Sequence, residues 1–253
     1  MTRSPLHGRT VVVTRPADRS AHLLAALERR GAIALLAPSI VVRPVRSAAL
    51  TAAMRDLAAG RFAWLVLTSP ATIAMLDDRL AGPGDVRARV AAIGDGTAAA
   101  YERWAGVAPD LRPTTFTTSG LARAFPRGEG RVLCPRADIA PEGLEDALAG
   151  KGWTPTRVDA YRTTYPPRLP ADARTALAEG RVDAVTFTSA STVRGFTAAL
   201  GEVRGAPRVV AIGPVTAREA RAHGFTVHAV ARPHTTDGLV EALERVFSRA
   251  RRR

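Results

Sequence analysis

Short, nearly continuous apolar runs recur along this chain, each followed by a polar turn and a longer stretch with apolar residues three and four apart. Thr10-Val11-Val12-Val13-Thr14 is the first such run, and a β-branched stretch without polar alternation predicts a strand buried on both faces. The turn Arg15-Pro16-Ala17-Asp18-Arg19-Ser20 follows, and Leu23, Leu24 and Leu27 mark a helix stopped at Gly31. Ala34 to Pro38 and Ile40 to Val42 read as strand segments broken by proline. The order then returns. Trp64–Leu67 is a strand, and Thr68-Ser69-Pro70 opens a helix through Leu76. Val90–Ile93 is a strand, and Gly94-Asp95-Gly96-Thr97 opens a helix through Trp104. Thr118-Ser119-Gly120-Leu121 opens another helix, and Arg131–Leu133, Val182–Phe187 and Val209–Ile212 are further strands. Strands alternating with helices predict parallel sheets with helices on both faces, a doubly wound α/β protein.

The elements come in two copies. Gly8 pairs with Gly130 at an offset of 122 positions, Gly31 with Gly152 at 121, and Leu67-Thr68-Ser69 with Phe187-Thr188-Ser189 at 120. Ala92-Ile93-Gly94 with Thr97 matches Ala211-Ile212-Gly213 with Thr216 at 119, and Thr117 to Leu121 matches Thr235 to Leu239 at 118. A period this long indicates a duplicated domain-sized unit rather than a solenoid. Two such units make a site between them the first place to look for a ligand. Two Pro-bracketed extended stretches, Pro38 to Val45 and Tyr161 to Pro167, occupy matching places and read as connectors.

Composition narrows the partners. The chain has 253 residues with 46% apolar content, enough for two cores, and a mean hydropathy of −0.01. No apolar run is long enough to span a bilayer and the N-terminus has no apolar signal region, so a cytoplasmic protein is expected. A lone cysteine, Cys134, excludes an internal disulfide and a Cys-rich metal site. The five histidines lack metal-ligand spacing. Net charge is +13, and Lys151 is the sole lysine. The preference for Arg over Lys fits the Ala-, Gly- and Pro-rich composition, but the excess of positive charge suits an anionic partner. Aromatics are 5% and none interleave with basic runs, so a small polyanion is favoured over nucleic acid; the terminal Arg249-Ala250-Arg251-Arg252-Arg253 reads as a solvated tail.

The candidate chemistry sits at the strand-to-helix turns. Thr68-Ser69, Gly94–Thr97, Thr117-Thr118-Ser119, Thr188-Ser189, Gly213-Pro214 with Thr216, and Thr235-Thr236 offer hydroxyls and backbone N–H groups at helix starts, where anions bind. Each alone is as readily an ordinary helix cap. Arg15 and Arg136 occupy matched turns after the first strand of each copy, either as ligand contacts or as solvated side chains. Tyr161, a phenol on a connector strand, suits either a packing role or a reach into a cleft. There is no phosphate loop, no G-x-S-x-G elbow and no dinucleotide fingerprint.

These motifs in this order, V-V-V-T-R-P at Val11 to Pro16, F-x-W-L-V-L-T-S-P at Phe62 to Pro70, A-I-G-x-x-T twice, T-S-G-L at Thr118 to Leu121, V-D-A-Y at Val158 to Tyr161 and F-T-S at Phe187 to Ser189, resemble the uroporphyrinogen-III synthase family from Gly8 to Phe247. The resemblance implies two flavodoxin-like α/β domains joined by a two-strand linker, the first discontinuous: residues 1–37 with 170–253, then 48–157, with linkers 38–47 and 158–169. It implies a cofactor-free, metal-free lyase that cyclises hydroxymethylbilane with inversion of ring D and loss of water in haem biosynthesis. A monomer is expected, with the enzyme that supplies the substrate as its one macromolecular partner, and neither nucleic acid nor membrane. Tyr161 falls at the family's functional tyrosine, as donor to the leaving hydroxyl. Ser69, Thr97, Ser189, Gly213 and Thr216 fall at its substrate contacts, and Arg208 where a basic residue is common; Arg15, Thr68, Gly94, Arg136, Thr188 and Pro214 complete the expected binding set. Ala71 and Ala190 stand where the family often has Arg and Pro, and Arg136-Ala137-Asp138 replaces a more usual R-G turn. The alternative is a non-catalytic tetrapyrrole- or anion-binding module of the same fold; a chain ending at Arg253, without a regulatory extension, points to the enzyme.

Overall fold

A computed structural model describes residues 3–250, and the terminal arginine run lies outside the described side chains. The strands are β1 (Thr10–Val13), β2 (Ile33–Leu36), β3 (Val41–Pro44), β4 (Trp64–Leu67), β5 (Arg89–Ala92), β6 (Arg131–Ala137), β7 (Thr154–Thr164), β8 (Ala184–Phe187), β9 (Arg208–Ala211) and β10 (Val227–Val230). The helices are α1 (Ala21–Glu28), α2 (Ala48–Ala58), α3 (Pro70–Arg79), α4 (Asp95–Ala105), α5 (Thr118–Ala124), α6 (Leu144–Ala149), α7 (Ala171–Ala178), α8 (Ala190–Ala199), α9 (Pro214–Ala222) and α10 (Thr236–Ala250). The chain divides into two compact units, Met1–Val41 with Thr164–Arg253, and Val42–Thr163.

The first unit holds a sheet of order β10-β9-β8-β1-β2 in which each adjacent pair is parallel. The uninterrupted apolar runs become its middle: all four residues of β8 are buried, whereas edge strand β2 is partly exposed. Alternate residues serve opposite faces. Val11, Val13 and Val210 pack under α1 and α10 through Leu23, Leu27, Leu239 and Leu243. Val12, Val185 and Val209 pack under α7, α8 and α9 through Leu177, Val193, Phe196 and Ala220. Each fully covered Leu or Val stabilises the unit by about 1.5–3 kcal/mol.

The second unit repeats the plan with a sheet of order β3-β7-β6-β4-β5. Helices α2, α3 and α4 cover one face through Leu50, Leu57, Leu76 and Tyr101 over Leu65, Leu67 and Leu133. Helices α5 and α6 cover the other through Leu121, Phe125, Leu144 and Leu148 over Trp64, Val66 and Val132.

The topology shows how the repeat is used. In the first unit β1 and β2, from the first sequence copy, pair with β8 and β9 from the second. In the second unit β6 and β7, from the second copy, pair with β4 and β5 from the first. Each folded unit therefore combines the opening half of one copy with the closing half of the other. The first sheet has the 2-1-3-4-5 order of a flavodoxin-like fold. The second has the same 2-1-3-4 order inside β3 once β6 and β7, the opening strands of their repeat copy, are counted first; strand order reverses between β1 and β8 and between β4 and β6.

Candidate functional site

In open α/β sheets ligands gather outside the carboxyl ends of the strands, where the strand order reverses. The turns after β1 and β8 meet that description in the first unit, and those after β4 and β6 in the second. The turns after β9 and β5 lie at the same ends of their sheets.

The hydroxyl turns differ from the glycine turns. Ser69 caps α3, its Oγ accepting from Ala71 N at 3.1 Å. Ser189 caps α8, accepting from Thr192 N at 3.1 Å while Thr192 Oγ1 accepts from Ser189 N at 3.2 Å, a reciprocal capping box. Ser189 Oγ also lies 2.9 Å from Ser191 Oγ. Thr68 and Thr188, one residue earlier, are half-buried. These serines already serve their helices, each contributing about 1 kcal/mol as a cap.

Helices α4 and α9 have no side-chain cap. Each starts after a glycine with extended backbone, Gly94 at φ −172° and Gly213 at φ −162°, which any residue adopts. At Gly94 the reason for glycine is space, because a Cβ would stand 3.1 Å from the Phe116 ring; at Gly213 the nearest atom would be in the His234 ring at 3.8 Å. Pro214 opens α9 with no N–H to satisfy. Thr97 and Thr216 each sit three residues past their glycine and are only 4% exposed. Both helix starts thus present uncapped first-turn N–H groups and a positive dipole end beside a threonine.

Arg15 follows β1 as a half-buried side chain whose Nη1 donates to Thr236 Oγ1 at 3.0 Å, at the start of α10. No carboxylate forms an ion pair with it among the described residues. Burial, and after it the charge of Arg19, hold its pKa below the usual arginine value. A cation partly withdrawn from water without a paired anion is stabilised by an arriving carboxylate.

Tyr161 lies on β7, 9% exposed, against the cluster under α2, α3 and α4. Its carbonyl accepts from Asp138 N at 3.1 Å, at the end of β6.

Two expected ligand contacts stand elsewhere. Arg136 is not on a turn: β6 continues to Ala137, so its side chain is 1% exposed inside the unit. Its Nη1 donates to Glu145 Oε1 at 2.8 Å and its Nη2 to Pro141 O at 3.1 Å, while its buried Nε has no partner among the described residues. The guanidinium is occupied by the fold. Arg208 is the first residue of β9, and in a parallel sheet this puts it at the amino end, the length of the strand away from Gly213.

Arg208 instead bears on His228, whose pKa is lowered by burial and then by the Arg208 charge. His228 Nδ1 accepts from Val209 N at 3.1 Å, which requires that nitrogen to be unprotonated. A depressed folded pKa means this contribution is full above the unfolded value near 6.5 and is lost as pH falls from there through the lower folded value, because in that window the unfolded chain binds the extra proton. The fall in Tm between pH 7.5 and 5.5 is therefore expected to be smaller in His228→Gln than in the native chain; equal falls would remove His228 as a contributor.

No cluster of three or more metal-binding side chains occurs among the described residues, and no helix there is long and apolar enough to cross a membrane. A family model described as uroporphyrinogen-III synthase HemD matches residues 21–241. A uroporphyrinogen-III synthase of Synechococcus elongatus is 30% identical across 96% of this chain and 97% of its own length. A putative uroporphyrinogen-III synthase of Methanothermobacter thermautotrophicus is 32% identical across 92% of this chain and 96% of its own. Among solved structures, a mutant uroporphyrinogen III synthase of Thermus thermophilus shares the fold at 22% identity and a TM-score of 0.66, covering 96% of this chain and 100% of that one.

Proposed function

The chain belongs to the uroporphyrinogen-III synthase family, and from that premise we propose that it is a cyclising lyase acting on hydroxymethylbilane, a linear tetrapyrrole carrying acetate and propionate groups. It inverts the terminal ring D through a spiro intermediate and closes the macrocycle with loss of water. The observation that carries this reading at the level of the site is the matched pair of uncapped helix starts, Gly94 with Thr97 and Gly213 with Thr216, one in each unit. A substrate with many carboxylates suits several helix N-termini and a chain of net charge +13.

Within this reading a carboxylate is taken on first-turn N–H groups of the kind that α9 presents after Gly213, and Arg15 with Thr236, in the same unit, suits another. Ser69 and Ser189, with Thr68 and Thr188 beside them, remain capping residues whose hydroxyls border the substrate. Arg136 is held by Glu145 and Pro141 O, and Arg208 stands at the amino end of β9, so this reading assigns substrate binding to neither. The electron-rich pyrroles expel the terminal hydroxyl themselves, so the protein's work is to hold the chain folded for ring D to be attacked at its substituted carbon. Tyr161 protonates the departing hydroxyl.

The test is product identity. Hydroxymethylbilane given to the protein, followed by oxidation and chromatographic separation of the isomers, yields the type III macrocycle at a rate above spontaneous closure. Type I product alone, with or without tight binding of the substrate, would leave a binding module instead of an enzyme.

A further inference from the structure

Strand β7 changes its face partway along. Val158 and Ala160 point into the cluster under α2, α3 and α4, and by strict alternation Tyr161 would point away from it. Tyr161 is in the same cluster, and burial then continues at Thr163, while Asp159, Arg162 and Thr164 are exposed. The cause is a bulge. Arg136 pairs with Asp159, but the next residue of β6, Ala137, pairs with Tyr161, leaving Ala160 as an extra residue. A bulge of this kind re-aims the side chain that follows it.

The chain of β6 turns away immediately afterwards, and Asp138 takes over its pairing. Asp138 N donates to Tyr161 O at 3.1 Å, and Asp138 Oδ1 accepts from Thr163 N at 3.0 Å. In a parallel ladder one residue donates its N–H and offers its C=O to residues two apart on the neighbouring strand. Asp138 provides the donor from its backbone and the acceptor from its side chain, so its carboxylate stands in for a strand carbonyl. The same Oδ1 lies 3.0 Å from Ile139 N, holding the turn, and Oδ2 lies 3.5 Å from Arg162 Nε. Thr163 is 7% exposed, so water offers its N–H little in place of that oxygen.

We propose that Asp138 is a positioning residue that holds β7 on both sides of Arg162 and so fixes the direction of the Tyr161 phenol for turnover. This rests on the reading of Tyr161 as proton donor. Asp138→Ala removes the acceptor for Thr163 and lets the strand end relax after its bulge. Asp138→Asn keeps an oxygen acceptor in place and loses only the charge.

The chain has three tyrosines, Tyr101, Tyr161 and Tyr165, so 3-fluorotyrosine incorporation gives three fluorine resonances, with Tyr161 assigned through Tyr161→Phe. In Asp138→Ala the Tyr161 resonance is expected to shift or broaden while that of Tyr101 stays. Turnover is expected to fall about tenfold with KM changed less than about twofold, as for a misaimed group rather than a lost binding contact. Asp138→Asn is expected to restore both the resonance and most of the turnover. Native resonance position and native turnover in Asp138→Ala overturn the proposal, and so does a shifted resonance with native turnover while Tyr161→Phe is slow. If Tyr161→Phe itself turns over normally, the donor reading falls, and the Tyr161 resonance in Asp138→Ala still decides whether Asp138 holds the strand. Should Asp138→Ala fail to fold, Asp138→Ser, too short to reach Thr163 N, carries the same expectations.

Discussion

Tyr161→Phe is expected to lower turnover about 100-fold, at the lower end of what a positioned proton donor contributes, with little change in KM and none in fold. The substitution removes one oxygen. The ring stays in the cluster under α2, α3 and α4, so the apolar packing there is retained. With no donor, the hydroxyl leaves as hydroxide, a poorer leaving group than water, and the barrier rises. With the carboxylates held as proposed, by groups other than the phenol, substrate is expected still to bind, so that kcat falls while KM holds. The product that does form is expected to remain type III, since ring D is still held in place to be inverted. Steady-state kinetics with isomer analysis checks each part: unchanged kcat removes Tyr161 from the chemistry, while a fall in kcat accompanied by type I product assigns it to holding the substrate instead.

What the sequence conveyed and what it did not have separate physical causes. Central strands β4 and β8 were legible because burial on both faces favours nearly continuous apolar runs, Trp64-Leu65-Val66-Leu67 and Ala184-Val185-Thr186-Phe187. The helix starts were legible because Ser69, Ser189, Gly94 and Gly213 are local signals, set by a few neighbouring residues. What distinguishes a capped from an uncapped start is that the Ser69 and Ser189 hydroxyls accept from Ala71 N and Thr192 N in the first turns of their helices, which the residue types alone do not specify. Arg136 looked like a turn residue because it matches Arg15 in the repeat, yet β6 continues through Pro135 to Ala137. The bulge at Ala160 was invisible for another reason: Val158-Asp159-Ala160-Tyr161 alternates acceptably on its own, and Asp138, which pairs with β7 just beyond it, is 22 positions upstream. A carboxylate placed directly after a buried strand run is the one signal that could have drawn attention to it. Nor does a repeat specify which halves pair. Arg131 to Cys134 resembles Arg9 to Val12 closely enough to fit beside either β4 or β8, and the selection of β4 is made by long-range packing.

Glu145→Ala is expected to destabilise the second unit by roughly 3–5 kcal/mol, the usual consequence of leaving one member of a buried ion pair without the other. Arg136 is 1% exposed and Glu145 15%, with 2.8 Å between Nη1 and Oε1. Arg136 Nε already has no partner among the described residues, so loss of Glu145 leaves the cation with Pro141 O alone. A protonated, always-charged guanidinium cannot escape by titrating. Replacing both residues gives the opposite expectation. Arg136→Met with Glu145→Leu exchanges the pair for apolar volume beside Leu144 and Leu148, and such exchanges are often neutral or stabilising by about 1–4 kcal/mol. The double variant also separates the two roles that Arg136 could have. If the guanidinium serves the fold alone, Arg136→Met with Glu145→Leu keeps a native KM for hydroxymethylbilane although it lacks a positive charge beside the β6 turn. If Arg136 leaves Glu145 to meet a substrate carboxylate, KM rises about tenfold or more, as expected for a lost charge-assisted hydrogen bond of about 1.5–3 kcal/mol, while the variant remains as stable as the native chain. Thermal unfolding of the single variant and kinetics of the double variant give both answers, and a Glu145→Ala protein with native Tm would show that the pair contributes nothing to the unit it lies in.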